Sequence, residues 1–120
     1  MTYQKAVLEY DDVTDRGVIK IEHTFPEANT SGPIDPVEQE YVLQFQHGVI
    51  PDKGRNGLFN EDVIQLLMLR LRTQNQGEMK CRENSLAITA LEEALMWLMR
   101  RSAIREEQGV LGTNQPHESA

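Results

Sequence analysis

The chain has 120 residues, of which 39% are hydrophobic and 26% are charged, and its formal net charge is −7. This composition favours a single modest globular domain in the cytosol, because no apolar run approaches the roughly 20 residues of a membrane span and the N-terminus lacks an apolar signal-peptide segment. The acidity argues against binding of long DNA or RNA, which requires a broad basic surface.

The first part of the chain predicts a small antiparallel β-sheet. Polar and apolar residues alternate along the second segment, with Ile19 and Ile21 on one face and Lys20 and Glu22 on the other. Gly17 is expected to adopt positive φ in the preceding turn. The candidate strands are 5–10, 17–25 and 40–48, joined by a turn at 11–17 and a proline-rich loop at 26–39.

Two helices are predicted after a turn-rich link at 47–59. Asn60 is a candidate N-cap for the first helix, 60–75, which has acidic residues in its first turn. Gly77 breaks this helix. The second helix is predicted from Arg82 or Glu83 to Glu107, with Gly109 as a left-handed cap and a polar tail, 111–120, that is expected to fray.

Strands grouped before helices indicate an α+β fold, with a small N-terminal antiparallel sheet followed by a two-helix antiparallel hairpin. We predict one domain, with a β-rich part at 1–58, a helical hairpin at 59–108 and a C-terminal tail at 109–120.

The helices predict a homo-oligomer. Apolar residues go nearly all round the first helix, so it must be covered on more than one side. The second helix has one stripe of large apolar residues and another that contains Ala90, Ala94, Trp97 and Arg101. The alternative is a monomer in which the sheet packs over one helix. The large apolar residues are Val63, Ile64, Leu66, Leu67, Met68, Leu69 and Leu71 in the first helix, and Ile88, Leu91, Leu95 and Leu98 in the second.

Catalytic and metal-site patterns are absent from the sequence. Cys81 is the only cysteine, which excludes an internal disulfide and favours a structural cysteine at a helix start. His23, His47 and His117 lack metal-ligand spacing. We therefore expect neither a metal nor a cofactor, and no enzyme activity. The acidic residues Glu83, Glu92 and Glu93 are interpreted as helix surface or capping residues.

Arginines collect near the end of the second helix. Trp97, Arg101 and Arg105 recur at every fourth residue, which predicts a shared face. Two guanidiniums one turn apart suit a phosphate or pyrophosphate. The alternative is that they complement the helix dipole or pair with acidic neighbours. Asn84 has the same two interpretations, as helix N-cap or as a polar ligand contact.

Several sequence motifs in and before the second predicted helix resemble those of a known family. CRENSLAIT, LEEALMWL and Arg101, followed by R-x-x-x-GV-x-GT from Arg105, are similar to the hairpin domain of the phage cyclic-nucleotide sponges, the Thoeris anti-defence one and anti-CBASS two family. FQHGVIPDKGRNGLFNEDV, from Phe45, resembles an upstream segment of the same family. The resemblance covers about 45–113 and is closer to the Thoeris branch.

This resemblance implies a binding protein that sequesters nucleotide second messengers of bacterial immunity. The expected ligand is glycocyclic ADP-ribose, a cyclic ADP-ribose-type signal, with cyclic di- or trinucleotides in a separate site of some members. It also implies dimers that assemble into hexamers, in the cytosol of the host cell if the protein is phage-encoded. Arg101 and Arg105 match the phosphate-binding arginines, and Asn84 matches a polar contact from another subunit.

The resemblance also implies two further candidate ligand-binding residues, Gln74 and Arg82. Gln74 stands where the family often has an aromatic residue that stacks on adenine, and Met79 or Phe59 is a possible replacement. Arg82 is a candidate for the separate trinucleotide site. Helix geometry adds that Asn84 and Arg101, seventeen residues apart, are separated by about 25 Å, so a small ligand that contacts both must lie between two protomers.

Two alternatives remain beside the glycocyclic ADP-ribose sponge. The first is a sponge mainly for CBASS cyclic di- or trinucleotides. The second is a helical oligomerisation or interaction module without a small ligand, whose functional surface would be its leucine and methionine faces.

Overall fold

The structure is a computed structural model that describes residues 4–111, 113 and 115–117. Its elements confirm the predicted α+β fold, with three antiparallel strands before the helices. The chain divides between His47 and Gly48 into a sheet unit and a helical unit, each described here by itself. The elements are β1 (Gln4–Asp11), β2 (Arg16–His23), β3 (Val37–Gln44), α1 (Ile50–Lys53), α2 (Asn60–Gln74) and α3 (Arg82–Glu107), with one 3₁₀ turn at Gly77–Met79.

The third strand begins earlier than predicted. It was expected at 40–48, but β3 already pairs at Val37, opposite His23, and continues to Gln44, opposite Arg16. The loop therefore ends at Pro36, because Val37 has both a strand-favouring side chain and a paired neighbour. After β3, the Phe45 N–H donates to the Asp15 carbonyl oxygen at 3.0 Å, which extends the pairing by one residue beyond Gln44.

Positive φ in the first turn occurs at Asp15 rather than at the predicted Gly17. Asp15 has φ 56°, a conformation that aspartate tolerates better than most residues. Gly17 instead lies within β2, opposite Tyr10 and Leu43. A Cβ there would lie 3.3 Å from the Phe45 ring, so the glycine provides room for Phe45, which packs edge-to-face on Tyr10.

A hydrogen-bonded chain of three side chains closes the end of the sheet. The Tyr10 hydroxyl donates to Asp15 at 2.6 Å, and the His47 ring lies 3.1 Å from the other Asp15 oxygen. The hydrogen bond from Tyr10 is the largest cause of the lowered pKa of Asp15, and the hydrogen bond from His47 is the second. The Tyr10–Asp15 hydrogen bond also raises the pKa of Tyr10. The carboxylate thus joins the first turn to the segment that follows β3.

The sheet is amphipathic, as the alternation predicted. The register places Leu8, Ile19 and Tyr41 side by side on an apolar face, and Val7, Lys20 and Glu40 side by side on a charged face. Within the described residues the apolar face remains open at its edges, because the exposed fraction is 75% at Leu8 and 55% at Tyr41.

The helical unit contains the predicted antiparallel hairpin. Arg72 of α2 bonds Glu92 of α3 at 3.2 Å, while Asn75, three residues further on, bonds Ser85. The partner moves back along α3 as the chain moves forward in α2, which is the geometry of antiparallel helices. Buried hydrophobic residues of this unit are Met68, Ile88 and Val110.

The start of α2 differs from the prediction by one residue. Phe59 is the N-cap, and Asn60, the expected cap, is the first helical residue. The Phe59 N–H donates to the Asp62 carboxylate at 2.8 Å. Asp62 also accepts from Arg55 at 2.6 Å, and the Arg55 guanidinium lies 3.7 Å from the Phe59 ring centroid. These contacts anchor the link, which also contains the unpredicted short helix α1.

Both helices carry apolar side chains that nothing covers within the described residues. Examples are Leu66, Leu69, Met96 and Met99, each more than half exposed. An exposed set of this size is typical of an association surface. Homo-oligomer formation and the single-domain division into 1–58, 59–108 and 109–120 stay predictions.

Candidate functional site

The candidate ligand residues lie mainly on α3, and their exposure differs. Arg82 and Arg101 are exposed, Asn84 is half-buried, and Arg105 is buried with only 6% of its surface accessible. Gln74 is the exposed last residue of α2. The structure therefore presents one arginine of the predicted pair to solvent and holds the other inside the helical unit.

Arg101 is the accessible cation of the pair. It lies one turn after Trp97, whose side chain is 57% exposed. Trp97 and Arg100 line a shallow surface depression with Met96, Met99 and Ala103. A guanidinium beside an exposed indole offers a charge for a phosphate and an aromatic face for a ring.

Arg105 is occupied by the segment that follows α3. Its guanidinium donates to the carbonyl oxygens of Val110 at 2.9 Å and of Thr113 at 2.8 Å, and it lies 3.2 Å from His117 Nδ1. Since arginine can only donate, a hydrogen bond in this contact uses His117 Nδ1 as the acceptor. The described part of the predicted frayed tail is thus bonded to the helix, and the rest of that tail lies outside the described residues.

Helix geometry explains why Arg105 is buried although Trp97 and Arg101 are exposed. Each step of four residues turns the side chain by about 40°, so Trp97 and Arg105 are about 80° apart. Leu98 precedes Arg105 by seven residues, which turn it by only about 20°. Arg105 therefore continues the stripe that the sequence correctly predicted at Ile88, Leu91, Leu95 and Leu98, whose members are all buried or half-buried. Of the three residues predicted to share a face, Trp97 and Arg101 are exposed, whereas Arg105 lies at the buried edge of that face.

The turn after α3 fixes the carbonyl groups that Arg105 binds. Gly109 has φ 72°, which confirms the predicted left-handed cap. The Gly109 N–H donates to the Glu106 carbonyl at 3.0 Å and the Val110 N–H to the Arg105 carbonyl at 2.9 Å, which together form a Schellman motif. Val110, the apolar residue of that motif, is buried.

The start of α3 is capped by Cys81 rather than by Asn84. The Cys81 sulfur accepts the Asn84 N–H at 3.4 Å, and Asn84 is the third helical residue. The interpretation of Asn84 as N-cap is therefore wrong, while the prediction of a cysteine at the helix start is confirmed. The Asn84 side chain is not needed for the cap, which leaves its amide available for another partner.

Asn75 closes the hairpin, a role that sequence analysis missed. Its side-chain oxygen accepts the Cys81 N–H at 2.9 Å, and its amide nitrogen donates to the Ser85 hydroxyl at 3.1 Å. The signal was an asparagine as the last residue of the predicted helix 60–75, since asparagine side chains often bond to backbone groups at helix ends and turns.

The two possible replacements for an aromatic residue at Gln74 lie in different places. Met79 is in the 3₁₀ turn of the same connection and is 74% exposed. Phe59 caps the opposite end of α2, which is about 22 Å away along the helix. Of these two residues, Met79 is the one that lies in the same connection as Gln74.

Other site types find no support in the part of the chain that is described. Within residues 4–111, 113 and 115–117, no three histidine, cysteine, aspartate or glutamate side chains are grouped to hold a metal ion. Over the same residues, no helix is long and apolar enough to cross a membrane.

The helical unit is a two-helix hairpin whose longer helix, α3, carries the candidate arginines Arg82, Arg101 and Arg105. Comparison with known proteins identifies this class of domain. The Acb2/Tad1 hairpin domain matches residues 40–103, so the chain belongs to this family. Thoeris anti-defense 1 of Bacillus phage SBSphiJ7 is 49% identical over 74 residues. The match covers 62% of this chain and 52% of the relative, so it spans about half of the relative's length.

Proposed function

We propose that this protein is a phage anti-defence protein that binds and sequesters a nucleotide second messenger of bacterial immunity without degrading it. The proposed ligand is glycocyclic ADP-ribose of Thoeris signalling, in the host cytosol. The observation that carries this proposal is an exposed Arg101 one helical turn after an exposed Trp97 on the long helix of an Acb2/Tad1 hairpin. The name of the phage relative, Thoeris anti-defense 1, supports the same assignment.

The proposed pocket is completed by a second subunit. Asn84 and Arg101 lie near opposite ends of one continuous helix, α3, so about 25 Å separates them. A nucleotide cannot contact both in one chain. The uncovered apolar residues of α2 and α3 support association of two hairpins, and we propose assembly as a dimer and then a hexamer.

The two arginines have different parts in this proposal. Arg101 is free to approach a ligand phosphate from solvent, whereas Arg105 first has to exchange one of its tail acceptors. His117 is the acceptor most easily replaced, since its 3.2 Å contact is the longest of the three and a phosphate oxygen is a charged, stronger acceptor. Arg105 therefore links ligand binding to the position of the residues after α3.

Subunit complementation tests the shared pocket. Arg101→Ala and Asn84→Ala should each abolish tight binding in calorimetric titration with glycocyclic ADP-ribose. In a mixed assembly, one pocket receives both mutated residues and another receives both native ones. Binding should therefore return at a fraction of the wild-type stoichiometry. Arg70→Ala is the control, because Arg70 is an exposed helical arginine that lies on α2, outside the proposed pocket residues. A mixture without binding would contradict a pocket shared between subunits.

A second candidate is a sponge mainly for cyclic di- or trinucleotides. It is favoured by Gln74, which presents an amide instead of the expected stacking ring. Arg82, exposed at the first position of α3, is the proposed contact for such a ligand. Titration of Arg82→Ala and Arg101→Ala with both ligand types separates the sites. If Arg82→Ala weakens only cyclic trinucleotide binding, the two sites are distinct; if it weakens neither ligand, Arg82 has no role.

A further inference from the structure

The sheet unit has two free edges, and they differ in charge. All eight residues of β1 are exposed, and among the described residues β1 is paired only with β2. The outer side of an edge strand presents unpaired N–H and C=O groups that can bind another strand. At the other edge, β3 carries Glu38 and Glu40 on one face. Two nearby carboxylates repel an identical strand, so the β3 edge is protected against a second copy.

The β1 edge is complementary to itself. When two copies of β1 pair in antiparallel orientation with Val7 opposite Val7, Lys5 of each copy lies opposite Glu9 of the other. The same register places Ala6 opposite Leu8. In β1 the odd-numbered residues lie on the charged face and the even-numbered residues on the apolar face. Because this register places odd-numbered residues opposite odd-numbered residues, both faces continue from one sheet into the other.

The structure indicates that these charges are available. Lys5 and Val7 line a surface depression of the charged face together with Lys20, Glu22 and Glu38, which confirms that Lys5 points to that face. No ion pair of Lys5 occurs within residues 4–111, 113 and 115–117. Glu9 accepts from Lys20 through one oxygen at 3.2 Å, and 54% of its side chain is exposed. A second lysine can therefore approach Glu9 from the open edge.

The neighbouring register that keeps the faces aligned is less favourable. With Leu8 opposite Leu8, Val7 would face Glu9, and Lys5 would face Asp11. The Asp11 carboxylate already accepts the Val13 N–H at 2.9 Å in the first turn. Shifting the register by a single residue would place the apolar face of one sheet on the charged face of the other. The register centred on Ala6 places Lys5 opposite Val7 and forms no such charge pair within residues 4–8, so charge and facing favour the register centred on Val7.

We propose that the β1 edge is a docking surface for a second copy of this chain. Two three-stranded sheets join along β1 about a two-fold axis at Val7, and the six-stranded sheet has an Lys5–Glu9 pair on each side of the axis. This interface belongs to the sheet unit and requires no ligand, so it goes beyond the nucleotide pocket proposed for the hairpins.

Site-specific cross-linking tests the proposal in the full chain. Antiparallel neighbours directly opposite each other have Cα atoms about 4.5–5.5 Å apart, within the range of a disulfide. Val7→Cys should therefore yield a covalent dimer on oxidation. Cys81→Ser in the same background removes the native thiol and keeps a good N-cap residue. Val42→Cys is the matched control, because Val42 is an exposed valine on the same face of the opposite edge.

Charge reversal identifies the register independently of any hairpin interface. Lys5→Glu and Glu9→Lys, each combined with Val7→Cys, should separately lose most of the cross-linked dimer through like-charge repulsion. A mixture of the two variants should restore it, because the two glutamates of one variant then lie opposite the two lysines of the other. Equal cross-linking of the Val7→Cys and Val42→Cys proteins would overturn the docking surface. An unchanged yield in the reversed variants, or no recovery in the mixture, would overturn the Lys5–Glu9 register.

Discussion

The Arg105 guanidinium donates a 2.9 Å hydrogen bond to the carbonyl oxygen of Val110, the residue whose own N–H donates to the Arg105 carbonyl. The two residues are thus joined by side chain and backbone at the end of α3. This reciprocal contact separates Arg105 from Arg101, which the resemblance alone would treat as an equivalent phosphate-binding residue.

Substitution of Arg105 should reduce stability as well as binding. Arg105→Ala removes the donors to the Val110 and Thr113 carbonyl oxygens, and we expect it to lower the free energy of unfolding by about 1–3 kcal/mol. Urea denaturation followed by circular dichroism measures the change. Arg101→Ala is the matched comparison, because its exposed side chain should leave stability within about 0.5 kcal/mol of wild type. Equal stability of the two variants would contradict the buried role of Arg105.

The hairpin connection should depend on Asn75. Asn75→Ala removes the acceptor for the Cys81 N–H and the donor to Ser85 at the start of α3. We expect a loss of about 1 kcal/mol of stability and faster hydrogen exchange at the Cys81 amide, since one side chain holds both groups. Gln76→Ala is the control, because the Gln76 side chain makes only an exposed 3.4 Å contact with the Arg72 carbonyl. Unchanged exchange at Cys81 in Asn75→Ala would refute this role.

The sheet unit should weaken in acid through Asp15. Hydrogen bonds from Tyr10 and His47 hold the pKa of Asp15 below its ordinary value of 3.8. Its contribution is therefore fully present above that ordinary value and is lost as the pH falls through the lowered pKa. Hydrogen exchange at the Phe45 amide, which bonds the Asp15 carbonyl, reports this loss.

Asp15→Asn provides the control for the acid effect. Asparagine also tolerates the positive φ of position 15, so the turn geometry is kept while the titrating group is removed. The variant should show a weaker acid dependence of exchange at Phe45 than the wild type. The same dependence in both proteins would assign the acid effect to another group.

An aromatic residue at Gln74 should strengthen binding if the nucleobase lies there. Gln74→Tyr restores a ring at the exposed end of α2, and base stacking contributes about 1–3 kcal/mol, or roughly 5- to 150-fold in the dissociation constant. Calorimetric titration with glycocyclic ADP-ribose measures the gain, and Thr73→Tyr, one position earlier on the same exposed turn, is the control. Equal affinity of Gln74→Tyr and the wild type would place the base elsewhere.

The sequence was informative where the signal is local. Alternation around Ile19 predicted β2, and apolar spacing with Gly109 as the C-terminal cap predicted α3 from Arg82 or Glu83 to Glu107, which the structure has as Arg82–Glu107. The start of β3 at Val37 was missed, because it depends on pairing with His23 far along the chain. The burial of Arg105 was missed for a related reason, since its acceptors belong to a turn whose path the helical pattern does not describe.

The measurement that tests the central claim most directly is calorimetric titration of the purified protein with glycocyclic ADP-ribose, followed by heat denaturation and chromatography of the released ligand. We predict tight binding and recovery of the ligand intact, because a sponge acts by occupancy and needs no bond cleavage. Recovery of a cleaved product would contradict sequestration. The absence of binding by glycocyclic ADP-ribose and by cyclic di- and trinucleotides would contradict the nucleotide sponge and favour a helical interaction module.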